Sequence, residues 1–209
     1  MEEQLNYMEL SSVEFAEILA SKAPTPGGGG AAALVGALAA ALGEMVGNLT
    51  VGKKKYAAAE AELRDCLEEL GSLRKTLLDY VREDAEAFAP LSAAYAIPKE
   101  NPTRGPTLEH CLQMAAEPPM KMLRACCRVI ELQEIMAEKG SVLAVSDAGC
   151  GAALAGAALS AAALNVCVNT RLMTDSARAR VLNDETEERL RHYGPMADRI
   201  YANVYARLQ

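Results

Sequence analysis

The sequence predicts an all-α protein, a bundle of long, partly kinked helices with Ala/Gly-rich helices in its core. Alanine, which favours helices and is depleted from strands, occurs 39 times in the 209 residues. Apolar residues recur at spacings of three and four over long segments. The only short β-like run, residues 142–145, is too isolated to form a sheet. We expect a single domain over residues 1–209.

The first two predicted helices flank a segment rich in proline and glycine, residues 24–30. Ser11, followed three residues later by Glu14, is typical of a capping box, and an apolar stripe follows it. The first helix is expected to stop before residue 24. An Ala-rich helix is expected over residues 29–50.

Two long helices are predicted in the middle of the chain. Leucine and other apolar residues at spacings of three and four predict the first, over residues 56–95. The second is expected over 107–139, bent or split at Pro118-Pro119 because proline lacks the backbone N–H. Gly140 is a suitable C-cap for it.

The last part of the chain contains a second Ala-rich helix and a final helix. The Ala-rich helix is expected to open at Asp147 and reach about residue 174, and the final helix, from residue 176, is interrupted at Gly194-Pro195. After a shift of 120 residues, the segment 29–50 matches 149–170 at positions that include Gly29, Ala32, Ala33, Leu34, Gly36, Ala37 and Thr50. We expect these two small-residue helices to pack in the core, against each other or across a dimer axis. The alternative is coincidence in an alanine-rich chain.

Composition and charge argue against several classes of protein. The net charge of -7 and the pI near 5.0 make a nucleic-acid-binding surface improbable. Six cysteines without a C-x-x-C pair indicate reduced, mostly buried thiols and a cytoplasmic protein. His110 and His192 lack the spacing of metal ligands, so no metal site is predicted.

Neither a leader peptide nor a membrane span is expected. Residues 1–10 contain three glutamates and lack the basic region that begins a secretory signal peptide. The longest uncharged apolar candidate, residues 31–43, is ended by Glu44 after 13 residues. That length is too short to cross a bilayer, and we expect no membrane partner.

Asp84 is the most informative single residue. In the series Leu77, Val81, Asp84, Phe88 and Leu91 the spacings are four, three, four and three, so Asp84 occupies a position on an apolar stripe. A buried carboxylate is costly unless it is paired, and burial raises its pKa towards the range of general acid–base catalysis. The alternative is a core Asp held by a helix end or by an arginine.

A glycine-rich turn at Gly27, Gly28 and Gly29 precedes the first Ala-rich helix. Free N–H groups at a helix N-terminus favour anions. No preceding strand and no G-x-x-x-x-G-K-[ST] motif is present, so a nucleotide phosphate loop is improbable. We expect either close approach of a flat ligand or a carboxylate to the backbone, or simply a tight turn that needs positive φ.

Three further groups are candidate site residues. Lys53, Lys54 and Lys55, followed by Tyr56, form a local basic cluster in an acidic protein, which suggests an anionic substrate tail, although such a run is often only solvated. Asp147 is a carboxylate at a helix start, where it can meet a ligand or serve as the N-cap. Asn165 and Asn169 form an amide pair on one face of an apolar helix and need partners, either in a ligand or in neighbouring backbone.

Several spaced blocks resemble the family of formiminotransferase-cyclodeaminase C-terminal domains, which includes formiminotetrahydrofolate cyclodeaminases and methenyltetrahydrofolate cyclohydrolases. The sequence departs from the usual family pattern at Gly30, commonly Ser, and at Cys150, commonly Val, a change we interpret as tolerance in the core. The matching blocks are residues 26–33, 42–46, 49–56, 84–88, 97–99, 146–154 and 164–166.

The resemblance implies an all-helical fold, usually a homodimer, that acts on a tetrahydrofolate one-carbon adduct without a metal or redox cofactor. The first expectation is cyclisation of 5-formiminotetrahydrofolate to 5,10-methenyltetrahydrofolate with release of ammonia. The alternatives are hydrolysis of methenyltetrahydrofolate to 10-formyltetrahydrofolate, or a non-catalytic folate-binding dimer. Asp84 and Asp147 would divide proton transfer and pterin binding between them, while Lys53–Lys55 would meet a glutamate or polyglutamate tail.

Overall fold

Six α-helices and two short 3₁₀ helices make up residues 6–209, the part of the chain that the computed structural model describes. Residues 1–5 lie outside the described part of the chain. The prediction of a single domain over 1–209 and the prediction of no leader peptide both include these five residues. Within residues 6–209 no strand occurs, and the predicted all-α class is confirmed. The α-helices are α1 (Ser12–Leu19), α2 (Gly28–Asn48), α3 (Glu60–Tyr95), α4 (Arg104–Lys139), α5 (Val145–Thr170) and α6 (Ser176–Arg207). The 3₁₀ helices are Lys54–Ala59 and Val142–Ala144.

The N-terminus of α1 is capped as predicted. The Ser11 hydroxyl accepts a hydrogen bond from the backbone N–H of Glu14 at 3.2 Å, and the Glu14 carboxylate accepts one from the backbone N–H of Ser11 at 2.8 Å. Each side chain therefore satisfies a backbone donor that the helix leaves free. The capping box in the sequence is confirmed.

The predicted interruption of α6 is wrong, and α4, predicted to be bent or split, is not split. α4 runs without a break through Pro118-Pro119, and α6 runs without a break through Gly194-Pro195. A proline inside a helix removes one backbone hydrogen bond. At Pro118 and Pro119 both rings are buried in the core, so packing of α4 against its neighbours offsets that loss.

The two Ala-rich helices, α2 and α5, pack against each other in the core, which confirms the prediction drawn from the 120-residue echo. They run antiparallel. At one end, a Cβ added to Gly28 would lie 3.3 Å from Nδ2 of Asn165. At the other end, the backbone N–H of Ser141 donates to Oγ1 of Thr50 at 2.7 Å. Small residues along both helices permit this close approach.

The remaining helices surround this central pair on three sides. α3 packs on the outer edge of α2, α6 packs on the outer edge of α5, and α4 crosses behind and contacts all four. The buried Gln133 of α4 donates from Nε2 to the carbonyl of Ala39 in α2 at 2.6 Å, and its side-chain amide lies against Gly151 of α5. The fourth side of α2 and α5 is covered by no other long helix of the described chain.

The argument from length against a membrane span is wrong. α2 continues through Glu44, which forms an ion pair with Arg74, and is 21 residues long. α2 and the segment 142–170 have mean hydropathies of 1.6 and 1.8, and both are long and apolar enough to cross a bilayer. Core helices of a soluble bundle have the same properties, and 56% of the α2 window is buried. The absence of a membrane partner stays a prediction.

Candidate functional site

A cavity of about 250 Å³ lies where the N-terminus of α2 meets the C-terminal third of α3 and the C-terminal part of α5. It brings together three of the predicted groups, which are far apart in sequence: the glycine turn, the α3 carboxylate and an α5 amide. α4 contributes one small residue. The wall consists of Pro24, Thr25, Gly27, Gly28, Gly29, Asp84, Phe88, Leu91, Tyr95, Ala115, Asn165, Val168, Asn169 and Leu172.

The carboxylate of Asp84 rests directly against Gly29. A Cβ added at Gly29 would lie within 3.0 Å of both carboxylate oxygens, a separation that real Cβ atoms essentially never show. Glycine is therefore required at position 29 for this contact. The glycine turn thus lies against a carboxylate of the protein itself. Close approach of a flat ligand or of a ligand carboxylate to this turn stays a prediction.

Burial raises the pKa of Asp84 from 3.8 to about 6, because a low-dielectric environment disfavours the charged form. A hydrogen bond from the backbone N–H of Gly30 opposes this rise. No lysine, arginine or histidine belongs to the cavity wall among the described residues, so no cation lowers the pKa again. Asp84 therefore titrates near neutral pH at the edge of a cavity, as general acid–base catalysis requires.

Two asparagines of α5 supply amide groups to the same cavity. Asn165 donates from Nδ2 to the carbonyl of Ala161 at 2.8 Å. Asn169 donates to the carbonyl of Ala115 in α4 at 3.1 Å and to that of Asn165 at 2.9 Å. These backbone bonds hold both side chains in place, so the cavity has a fixed polar wall opposite the aromatic and aliphatic residues of α3.

The other predicted site residues lie at the opposite end of the molecule. α2, with 21 residues at about 1.5 Å each, separates Lys53–Lys55 from the glycine turn by about 30 Å. All three lysines are exposed. The Tyr56 hydroxyl accepts a hydrogen bond from the backbone N–H of Val142 at 3.2 Å, which places Tyr56 beside the start of α5 and its half-exposed Asp147. Within one chain, the expectation of a single site containing all these residues is therefore wrong.

Several local interpretations also change. Within the described residues only Gly52 has positive φ, so the tight-turn alternative for Gly27–Gly29 is wrong. Asp147 lies in the first turn of α5, and the N-cap is Ala144 instead. Cys150 and Cys167 are exposed, unlike the other four cysteines. The interpretation of Cys150 as a change tolerated in the core is therefore wrong.

The cavity also contains residues that were not predicted as site residues. Phe88 and Leu91 continue the apolar stripe that identified Asp84, so helical spacing alone could have placed them beside it. Asn169, by contrast, was predicted together with Asn165 as an amide pair and lies in the same wall. Ala115 carries no such signal, because an alanine in an alanine-rich chain does not stand out. Its position depends on how α4 crosses α5.

The described residues contain no group of three or more His, Cys, Asp or Glu side chains that could hold a metal ion. The absence of a metal and of a cofactor stays a prediction. The cavity wall has the elements of a proton-transfer site for a flat polar ligand: one carboxyl group, two fixed amides and an aromatic side.

Comparison with known proteins shows similarity along most of the chain. Residues 11–188 match the family model described as Formiminotransferase-cyclodeaminase. The methenyltetrahydrofolate cyclohydrolase of Methylorubrum extorquens is 44% identical over 198 residues, which cover 93% of this chain and 95% of that protein. The rat formimidoyltransferase-cyclodeaminase is 28% identical, and the match covers 88% of this chain but only 34% of that protein.

A solved structure shows the same fold. The formiminotetrahydrofolate cyclodeaminase of Thermotoga maritima superposes with a TM-score of 0.84 at 29% sequence identity. The superposition covers 95% of this chain and 98% of that one. The order of the helices and their packing are therefore shared over nearly the whole length of both chains.

Proposed function

Because the chain belongs to the formiminotransferase-cyclodeaminase family and is a folate one-carbon enzyme, we propose that it hydrolyses 5,10-methenyltetrahydrofolate to 10-formyltetrahydrofolate. The observation that carries the proposal is the Asp84 carboxyl group, with its pKa of about 6, at the wall of a cavity with fixed amides. The 44% identity to a cyclohydrolase of nearly the same length favours hydrolysis over the deamination expected first from the sequence.

The proposed reaction needs a group that first accepts and then donates a proton. Water adds to the methenyl carbon between N5 and N10, and Asp84 in its ionised form accepts a proton from that water. The C–N5 bond of the resulting adduct then breaks. Protonated Asp84 donates its proton to N5, and the proton of the new hydroxyl group passes to solvent as the formyl group forms on N10. A carboxyl group with a pKa near the working pH serves both steps.

The remaining wall residues fit the binding of a flat, polar ring. Phe88 and Leu91 supply an apolar surface, and Asn165 supplies an amide for the hydrogen-bonding edge of a pterin. A Cβ added at Gly27 would meet nothing within 4 Å, so a ring can lie against the backbone there. Asn165 and Asp84 already occupy the space beside Gly28 and Gly29. Asp147, at the other end of α5, is too distant within one chain to exchange protons with the same substrate.

Cyclodeamination is the second candidate, supported by the T. maritima cyclodeaminase, whose structure superposes over 95% of this chain. In this reaction N10 attacks the formimino carbon of 5-formiminotetrahydrofolate and loses its proton, and ammonia leaves after protonation. Asp84 could accept the proton from N10 and donate one to the leaving nitrogen. The same cavity and the same carboxyl group therefore serve both candidates.

Purified protein tests the two reactions against each other. With 5,10-methenyltetrahydrofolate, loss of methenyl absorbance at a rate far above the uncatalysed rate supports hydrolysis. With 5-formiminotetrahydrofolate, a rise of methenyl absorbance together with ammonia supports deamination. If neither substrate is turned over, the proposed function is wrong. Chelator treatment before the assay tests the further expectation that no metal takes part, because activity should be unchanged.

A cytoplasmic location and a homodimeric state belong to the same proposal. The exposed thiols of Cys150 and Cys167 suit a reducing compartment. Fractionation of the cells that make the protein tests the location. Light scattering of the purified chain tests the oligomeric state.

A further inference from the structure

The Asp84 cavity is a slot beyond the N-terminus of α2, between two helices that continue past it. α3 and α5 both run antiparallel to α2, so their C-terminal parts extend side by side beyond the glycine turn. At the floor of the slot, Asp84 lies against Gly29 and Asn165 lies against Gly28. Asn169 lies one helical turn, about 5.4 Å, further along α5.

The side-chain amide of Asn169 has both of its N–H groups in use. Its Nδ2 donates to the carbonyl of Ala115 in α4 at 3.1 Å and to that of Asn165 at 2.9 Å, and a primary amide has only these two donors. Turning the amide over would place Oδ1 against two carbonyl oxygens, so the hydrogen bonds fix the orientation of the group. Asn169 therefore presents an acceptor to the cavity and no donor.

Oδ1 of Asn169 accepts no hydrogen bond from any described residue. It is not sealed in the core either, because Oε1 of Gln133 is the one side-chain nitrogen or oxygen of residues 6–209 that is fully buried without a partner. Asn169 belongs to the cavity wall, so its oxygen is open to whatever occupies the slot. It can bind only a ligand that brings an N–H or O–H donor.

Pro119 explains why the carbonyl of Ala115 is available to Asn169. In an α-helix the N–H of residue 119 would bond to the carbonyl of residue 115, four positions earlier, but proline has no N–H. Asn169 supplies the donor that the proline lacks. The neighbouring Pro118 frees the carbonyl of Met114 in the same way, and Met114 lies outside the cavity wall. Of these two prolines, only Pro119 is therefore connected to the site.

We propose that Asn169 accepts a hydrogen bond from the 2-amino group of the substrate's pterin ring, and that Pro119 positions Asn169 by leaving the Ala115 carbonyl free. The 2-amino group and N3–H form the donor edge of a pterin, at the end of the fused ring remote from the carbon between N5 and N10. With that carbon beside Asp84, the donor edge extends along the slot towards Asn169. This inference rests on the proposed function for the identity of the ring.

Two ligands that differ in one donor test the acceptor. The first is 5-formyltetrahydrofolate, and the second is its analogue with a methyl group in place of the 2-amino group. Titration calorimetry of the wild-type chain should give a Kd about tenfold higher for the analogue, because one hydrogen bond is lost. In Asn169→Ala this difference should shrink to about twofold or less. Equal Kd values in the wild type, or a difference that survives in Asn169→Ala, would overturn the proposal.

Asn183→Ala is the matched control for the loss of an amide at a helix contact. Asn183 accepts a hydrogen bond from Thr170 of α5 at 2.7 Å and lies outside the cavity wall, so its loss should lower the melting temperature and leave the ligand preference intact. A loss of the preference in Asn183→Ala would mean that it reports the fold and not the acceptor. If circular dichroism shows that Asn169→Ala does not fold, Asn169→Leu, an apolar side chain of similar size, takes its place.

The two prolines of α4 provide a second test. Pro119→Ala and Pro118→Ala each remove one buried ring and return one backbone N–H, but only the first returns it to the carbonyl that holds Asn169. Pro119→Ala should reduce the difference between the two ligands to about threefold, and Pro118→Ala should leave it unchanged. Equal effects of the two variants would remove Pro119 from the site.

Failure of the proposed function is recognised separately, because these Kd values require binding and not turnover. A chain that turns over neither folate but shows the amino-group preference would keep the assignment of Asn169 and lose the proposed reaction. A chain that hydrolyses 5,10-methenyltetrahydrofolate without that preference would keep the reaction and lose the assignment.

Discussion

Asp84 and Asp147, the two carboxylates singled out as candidate acid–base residues, lie in contrasting environments at opposite ends of the central helix pair. Asp84 lies half-buried at the cavity wall in the C-terminal third of α3, where burial makes its charge unfavourable. Asp147 lies in the first turn of α5, where the helix dipole makes a negative charge favourable. A carboxylate that destabilises its own fold needs a functional reason, and one that stabilises its own helix does not.

The largest expected effect is on catalysis at Asp84. Asp84→Asn keeps the shape of the side chain but cannot transfer the proton, so kcat should fall by about 10²–10⁴-fold, while KM changes little. The measurement is the steady-state loss of methenyl absorbance. Asp79→Asn, an exposed carboxylate on the same helix, is the matched control and should retain full activity. Equal kcat in the wild type and Asp84→Asn would remove Asp84 from the mechanism.

The contact between Asp84 and Gly29 gives the next largest effect. Gly29→Ala places a Cβ within 3.0 Å of both carboxylate oxygens, so Asp84 must move. Misplacement of a reacting group by about 1 Å can cost about 10²-fold, and we expect kcat/KM to fall by about 10–100-fold. Gly105→Ala is the control, because an added Cβ there meets nothing within 4 Å. Full activity in Gly29→Ala would show that the close contact is dispensable.

The helices of this fold were predictable because each depends on local sequence. The capping box at Ser11 and the small-residue match between α2 and α5 both led to correct statements. A split at Pro118-Pro119 and an interruption at Gly194-Pro195 do not occur, for a physical reason. Tertiary packing compensates the hydrogen bond that a proline removes, and a local rule does not include that packing.

The site was only partly predictable. Asp84 was found because a charge on an apolar stripe is visible in helical spacing, and Gly29 because a glycine run before a helix is unusual. The separation of Lys53–Lys55 from the glycine turn could have been predicted, because the helix expected over residues 29–50 already has a length of about 30 Å. The glycine turn and Lys53–Lys55 lie about 30 Å apart because the 21-residue helix α2 separates them.

The stability of the fold should also depend on the charge of Asp84. Its pKa is about 6 in the folded protein against 3.8 when unperturbed, so the folded state holds the proton more tightly. Ionisation therefore destabilises the fold above about pH 6, by up to about 3 kcal/mol, and the penalty disappears below about pH 4. Urea unfolding of Asp84→Asn should show higher stability than the wild type at pH 8 and equal stability at pH 4. A constant difference across this range would mean that burial does not shift the pKa.

Asp147→Asn should change stability in the opposite direction and by less. Removal of a negative charge from the first turn of α5 loses its favourable interaction with the helix N-terminus, which contributes about 0.3–1 kcal/mol and weakens as salt rises. Urea unfolding at pH 7 should therefore show Asp147→Asn below the wild type and Asp84→Asn above it. In 1 M salt, the stability that Asp147→Asn loses should shrink more than the stability that Asp84→Asn gains, because a buried charge is screened less than an exposed one. If both variants were stabilised, Asp147 would also hold an unfavourable charge, and the contrast between a catalytic and a structural carboxylate would fail.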